Sequence, residues 1–250
     1  LTDLGNLFGL VKFYTGARGK GIKPIAGADV WIANPDSPED PSRLLLLVRN
    51  REGYRQLCEL LTRAYLVEGR RDRAEIRREW FGETGSAGLI ALSGAHLGDV
   101  GQALLNGNFD LAGERARAWE AIFPGAFYLE VQRYGQPQQE AIVQQTADLA
   151  GELGLPLVAT HPVQFLGRDD FRAHEARVCI AEGYVLGDSR RLRVYTEAQY
   201  FRTQAEMAEL FADLPEALEN SLEIARRCTI ELTLGRSEEH TSELQSLTNL

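Results

Sequence analysis

The sequence predicts an α/β fold, and three observations carry that prediction. Short apolar runs such as Gly88-Leu-Ile-Ala-Leu-Ser93, Phe127-Tyr-Leu-Glu-Val-Gln132 and Leu155-Pro-Leu-Val-Ala-Thr160 are too brief for helices and end in polar residues. Between them lie longer stretches with apolar residues at helical spacing. At 250 residues and 44% hydrophobic, the chain can bury one substantial core or two small ones. Short strands alternating with amphipathic helices make a β/α sheet or barrel, a class that gathers its chemistry at the C-terminal strand ends.

Taken in order, residues 5–15 carry Leu7, Leu10, Val11 and Tyr14 on one helical face, with Asp3 or Asn6 as cap and Gly16 and Gly19 as stop signals. Residues 21–32 read as a buried strand in which Gly27 permits close backbone approach and Asp29 is an isolated carboxylate among apolar neighbours. A loop rich in Pro, Asp and Ser (34–42) leads to a strand (43–48) and a helix (52–67) with Tyr54, Leu57, Cys58, Leu61 and Tyr65 on one face. The basic cluster at 70–78, interleaved with Asp72 and Glu75, reads as a solvated loop-to-helix surface. Then come a strand (88–93) with the polar tip Ser93-Gly94-Ala95-His96, helices (98–105 and 110–122), a strand (127–132) and a helix (136–153). The strand from Leu155 breaks at Thr160-His161-Pro162, and helices follow at 169–181, 204–211 and 214–228. His174, followed by Glu175, reads as a surface or capping histidine.

Composition removes several function classes. A formal charge of −9 argues against nonspecific phosphate-backbone binding by this chain alone. Cys58, Cys179 and Cys228 are odd in number, widely spaced and without a C-x-x-C pair, so they suit buried thiols in a reducing compartment. Dinucleotide, P-loop and nucleophile-elbow motifs are absent. Apolar runs stay well short of the roughly 20 residues that span a bilayer, and a cytoplasmic location without membrane contact is expected. The chain opens on Leu1-Thr2-Asp3, a strand-end pattern, so a first strand is expected upstream. Residues 236–246 resemble one reading frame of a sequencing-library adapter, and 236–250 are set aside as non-native.

Several blocks, in order, resemble the N-terminal part of the alpha subunits of bacterial DNA polymerase III. They are Leu1-Thr-Asp-Leu-Gly-Asn-Leu-Phe-Gly-Leu-Val-Lys-Phe-Tyr14, Gly21-Ile-Lys-Pro-Ile-Ala-Gly-Ala-Asp29, Leu92-Ser-Gly-Ala-His-Leu-Gly-Asp99, Leu157-Val-Ala-Thr160 and Glu209-Leu-Phe-Ala-Asp-Leu-Pro-Glu-Ala-Leu-Glu-Asn220. The resemblance implies a distorted β/α barrel of the polymerase-and-histidinol-phosphatase (PHP) type over 1–185, truncated at its N-terminus. It also implies a helical continuation toward a polymerase core over 186–235. In family members with an active site, strand ends supply His, Asp, Glu and sometimes Cys to divalent metals, which activate water for phosphoester hydrolysis.

Carried over residue by residue, most ligands are missing. The Thr-Asp-His motif stands as Thr2-Asp3-Leu4, the Gly-x-Glu carboxylate as Asp29, and the ligand position after Leu-Ser-Gly as Ala95, with His96 one residue off. After Glu130, Asn-His-Gly is replaced by Arg133-Tyr134-Gly135, and the final Asp-x-His falls on Pro162-Val163-Gln164 beside His161. The resemblance therefore implies a PHP domain with neither catalytic nor metal residues, kept as a scaffold in a nucleotidyltransferase of DNA replication. It would bind the proofreading exonuclease subunit and other replicase subunits. DNA and catalytic magnesium would be held in a palm domain elsewhere in the parent chain. The alternative is a metal-dependent phosphoesterase or 3'-5' exonuclease using Asp3, Asp29, Glu130 and His161 as a reduced ligand set.

Overall fold

A computed structural model describes residues 1–67, 73–137 and 139–234. The proposed adapter tail, and Arg70, Arg71 and Asp72 of the basic cluster, lie outside the described residues. Among those described, seven strands form one mixed sheet: β1 (Thr2–Leu4), β2 (Gly27–Ile32), β3 (Ser42–Val48), β4 (Glu75–Ile76), β5 (Leu89–Leu92), β6 (Phe127–Gln132) and β7 (Leu157–Thr160). The spatial order is β1-β2-β3-β5-β6-β7, with β4 pairing β2 beyond the reach of β1. Pairing is parallel except on both sides of β3. That reversal departs from strict β/α alternation. A loop with no helix joins β2 to β3, so the chain turns back antiparallel, as a short connection requires.

The helices are α1 (Leu10–Gly19), α2 (Arg51–Leu66), α3 (Trp80–Thr84), α4 (Asp99–Leu105), α5 (Phe109–Ile122), α6 (Gln139–Leu153), α7 (Phe171–Glu182), α8 (Gln204–Leu210) and α9 (Pro215–Arg227). The first begins later than its spacing predicts. Gly5, at φ +67°, donates to the Asp29 carbonyl at 2.7 Å, and the Asn6 side chain closes a turn onto the Phe8 N–H at 3.0 Å. Both bonds fold the chain into turns ahead of the helix, which starts at Leu10. Gly16, the first stop signal, sits in open space where a helix tolerates it; Gly19, the second, is the last residue of the helix, and Gly21 at φ +71° turns the chain away beyond it. The basic cluster at 70–78, expected as a solvated loop-to-helix surface, sends Ile76 into the core from β4, and just beyond it Trp80 and Phe81 are buried in α3.

One apolar core runs from Leu10 to Ile230. Its centre is β3, β5 and β6, whose side chains are covered by α2 on one flank and by α4, α5 and α6 on another. Gly27 does make the close approach: a Cβ there would stand 2.4 Å from the Leu46 carbonyl oxygen. The last helix belongs to the same core. Ala217, Ile224 and Cys228 are buried, α9 packs on β7, and the Asn220 side chain donates to the Leu157 carbonyl at 2.7 Å. Residues 184–203 form no helix, but a strap held by the Phe165–Tyr200 bridge. Cys179 and Cys228 are buried and Cys58 half-buried, all as free thiols.

Candidate functional site

The sheet brings Asp29 to the centre of the expected site by register. It lies on β2 directly beside Leu4 of β1 and opposite Leu45 of β3. It is not isolated. The guanidinium of Arg43, at the start of β3, spans its carboxylate, with Nε donating to Oδ1 at 2.8 Å and an Nη to Oδ2. The same guanidinium stacks over the Trp31 indole at 4.5 Å, with Arg73 at 5.5 Å. Arg43 goes unmarked in the sequence because it reads as the polar first residue of an apolar strand. The signal lies in the pairing: Trp31 faces Arg43, and Asp29 is its diagonal neighbour, within reach of a long side chain.

Glu130, on β6, is only 4% exposed. Its carboxyl group accepts from the Thr160 hydroxyl of β7 and from Gln132 Nε2 at 3.1 Å, and Gln132 also donates to Thr160 at 3.0 Å. Burial pushes its pKa up and the negative charge of Asp29 adds to the rise, while these bonds and the Gly94 N–H oppose it. The two carboxylates are therefore close enough to feel each other, yet each already has protein partners.

The other positions part from this pair. Asp3 is half-buried and accepts the Gly9 N–H at 3.3 Å, at the mouth of α1, while Leu4 is 46% exposed. Ala95 opens a short 3-10 turn (Ala95–Leu97) at φ +48°, a left-handed geometry unusual for alanine, right after Gly94 at +76°. That turn delivers His96 to Tyr134: Nε2 and the phenol oxygen are 3.2 Å apart. Two departures from the family pattern thus meet each other. Burial lowers the His96 pKa and raises that of Tyr134.

His161 faces the strap, with Nε2 2.9 Å from the Ala198 carbonyl oxygen and Nδ1 buried without a partner. Burial lowers its pKa, opposed by the Ala198 carbonyl. The Pro162 carbonyl accepts from Gln199 Nε2 at 3.2 Å, and the Gln164 N–H donates to the Gln199 carbonyl at 2.8 Å. His174 departs from expectation. It is 5% exposed, packed between Phe165 at 5.4 Å and Tyr195 at 4.7 Å, because the strap folds back over α7. Glu175, also buried, pairs with buried Arg191 of the strap, which lowers its pKa.

The residues present do not fit a divalent-metal cluster. Both oxygens of Asp29 are committed to Arg43, Glu130 is desolvated and bonded to Thr160, and Ala95 offers no donor atom. Among the described residues, no three His, Cys, Asp or Glu side chains gather as a metal-holding group, so Asp3, Asp29, Glu130 and His161 are not brought together as one ligand set. What the arrangement does is neutralise its own charge through cross-strand bonds. Among the described residues, no helix is long and apolar enough to cross a membrane.

Comparison with known proteins adds a family and a set of relatives. The PHP domain model matches residues 1–134. The chain is 55% identical over 239 residues to the DNA polymerase III subunit alpha of Neisseria meningitidis serogroup A, covering 95% of this chain and 21% of that protein. It is 49% identical over 236 residues to the subunit of the same name from Pseudomonas aeruginosa, and 44% over 235 residues to that of Escherichia coli K12. Each of these matches covers 94% of this chain and 20% of the relative. The chain spans about a fifth of the length of the curated relatives it matches.

Proposed function

This chain belongs to the PHP domain family, and from that premise we propose that it is a scaffold without hydrolytic chemistry of its own, in the N-terminal part of a bacterial replicative polymerase. The parent would be a DNA polymerase III alpha subunit, with residues 1–185 as the PHP domain and 186–235 leading toward the polymerase core. The observation that carries this reading is the Arg43–Asp29 pair. A guanidinium across both carboxylate oxygens supplies at Asp29 the positive charge that a metal ion would otherwise supply.

DNA-directed DNA synthesis would then belong to the parent chain. Its nucleotidyl transfer would use magnesium held by palm-domain carboxylates outside this region. The net charge of −9 agrees with DNA being held elsewhere. Other replicase subunits are the proposed partners, the proofreading exonuclease subunit in particular.

Metal analysis and a phosphodiesterase assay on the complete polypeptide, free of the exonuclease subunit, test the reading together. Zinc and manganese well below one equivalent, with no hydrolysis of a model phosphodiester, are expected. Stoichiometric transition metal with hydrolysis abolished by Asp29→Ala would overturn it in favour of a phosphoesterase. Co-elution on gel filtration tests the partner: a complete alpha chain that fails to retain the exonuclease subunit removes it.

A further inference from the structure

The residues around His174 fix its protonation state. It lies buried on α7, with the Phe165 ring on one side and the edge of the Tyr195 ring, from the strap, on another. Its Nδ1 stands 3.3 Å from an Nη of Arg177, one turn along the same helix. A guanidinium can only donate, so Nδ1 must accept, and the ring is the neutral tautomer with its proton on Nε2. Nε2 itself is buried without a partner. A second proton would have to enter at Nδ1, where it sets N–H against N–H and a positive ring against a positive guanidinium.

The charged groups nearby do not relieve that conflict. Glu175, the next residue on α7, is the carboxylate that acts on the ring, but its own charge is matched by the buried ion pair with Arg191 and by Arg193, both on the strap. The strap therefore brings positive charge toward this end of α7, and the turn after β7 presents the apolar ring of Phe165. Burial lowers the His174 pKa first and Arg177 lowers it further, with Glu175 opposing.

The enclosure is made by the strap. On either side of Tyr195 the strap is tied to the turn after β6: Gln136 Nε2 donates to the Val194 carbonyl at 2.7 Å, and the Thr196 hydroxyl donates to the Tyr134 carbonyl. We propose that the strap is a proton-sensitive latch, closed over α7 while His174 is neutral and released when that ring takes up a proton. Release lets the charged ring reach water and part from Arg177, and it uncovers the Tyr134 carbonyl. The closed state binds fewer protons at His174 than the open one, so closure is complete above the ordinary histidine value of 6.5 and weakens as pH falls below it. Glu175 is not the trigger in that range, because Arg191 holds its pKa below the ordinary value of 4.5. One proton can weaken closure by at most about tenfold per pH unit.

Amide exchange in the complete polypeptide, read by peptide mass spectrometry and corrected at each pH for the intrinsic rate, tests this. The Thr196 N–H donates to Gln199 Oε1 and the Phe201 N–H to the Phe165 carbonyl, both at 2.9 Å, so peptides spanning 190–202 report closure. Between about pH 7.5 and pH 5.5, their protection is expected to fall about threefold to tenfold, while that of α6 stays constant. His174→Gln, uncharged at every pH, is expected to keep a flat profile. Protection of the strap that does not change with pH overturns the latch, as does an equal fall in α6, or a fall that persists in His174→Gln. Should that variant fail to fold, exchange of the imidazole Cε1–H in the unaltered polypeptide decides, since a peptide covering 171–182 carries His174 as its one histidine. Its titration midpoint is expected below 6.5 and within the range where the strap loses protection; a midpoint at or above 6.5 refutes the latch.

Discussion

Arg43 donates two hydrogen bonds to Asp29 at the edge of a core that also holds the buried carboxyl of Glu130. Arg43→Ala leaves Asp29 facing Glu130 without a counter-charge. Because the Asp29 side chain is 30% exposed, water makes up part of the loss, and a decrease of about 1–2 kcal/mol in urea unfolding is expected. Most of that decrease should vanish in an Asp29→Asn background, since the pair is then already broken. Glu130 supplies a pH signature. Its folded pKa lies above the ordinary value of 4.5, so the folded state binds its proton more tightly than the unfolded chain does. The stability this gives is complete below pH 4.5 and is lost as pH rises through the folded pKa. Glu130→Gln removes that slope, so the variant's melting temperature minus that of the unaltered protein should grow more positive from pH 4.5 to 8; a constant difference would contradict the assignment. Motif comparison exposes Ala95, Tyr134 and Gln164 directly, since each fills a slot where a ligand is looked for. Arg43 and Thr160 stay hidden in the sequence, because their roles arise from neighbours on other strands.

The elements follow the sequence wherever periodicity is strong, and part from it where side chains capture the backbone. β6 lies on Phe127–Gln132 as its apolar run predicts, and α2 begins at Arg51 under an Asn50 cap. α1 slips because Asn6 and Gly5 make tertiary and turn bonds that spacing cannot reveal. The strap leaves no periodic trace at all, and its burial of His174 depends on folding over α7. Contact between α2 and β5 sets a strict limit on side-chain size. A Cβ on Gly53 would stand 1.8 Å from the Gly88 carbonyl oxygen, so Gly53→Ala must push the helix off the sheet, at a cost of about 3 kcal/mol or more. Gly16→Ala, on the open face of α1, is the contrasting case: with nothing within 4 Å, it should raise stability by roughly 0.5–1 kcal/mol. Paired melting curves check both.

At the scale of the whole molecule, the first and last elements hold one another. Leu232 donates its N–H to the Tyr14 hydroxyl at 3.1 Å, Thr229 bonds the Arg49 carbonyl at 2.7 Å, and Lys23 Nζ donates to the Ala225 carbonyl at 2.7 Å near the end of α9. Ile224→Ala is expected to cost about 2–4 kcal/mol, as for other fully buried aliphatic side chains, and near-ultraviolet circular dichroism should register the loosening on the far side of the sheet. These long-range bonds also impose a schedule. Tyr14 and Leu232 are 218 residues apart, and at roughly 5–20 residues per second a ribosome needs about 10–45 s to make that interval. For the part of that time between Thr160 and Arg227, about 3–13 s at the same rate, the open flank of β7 has no α9 against it, which makes the nascent chain a client for chaperones before it is a component of any larger assembly.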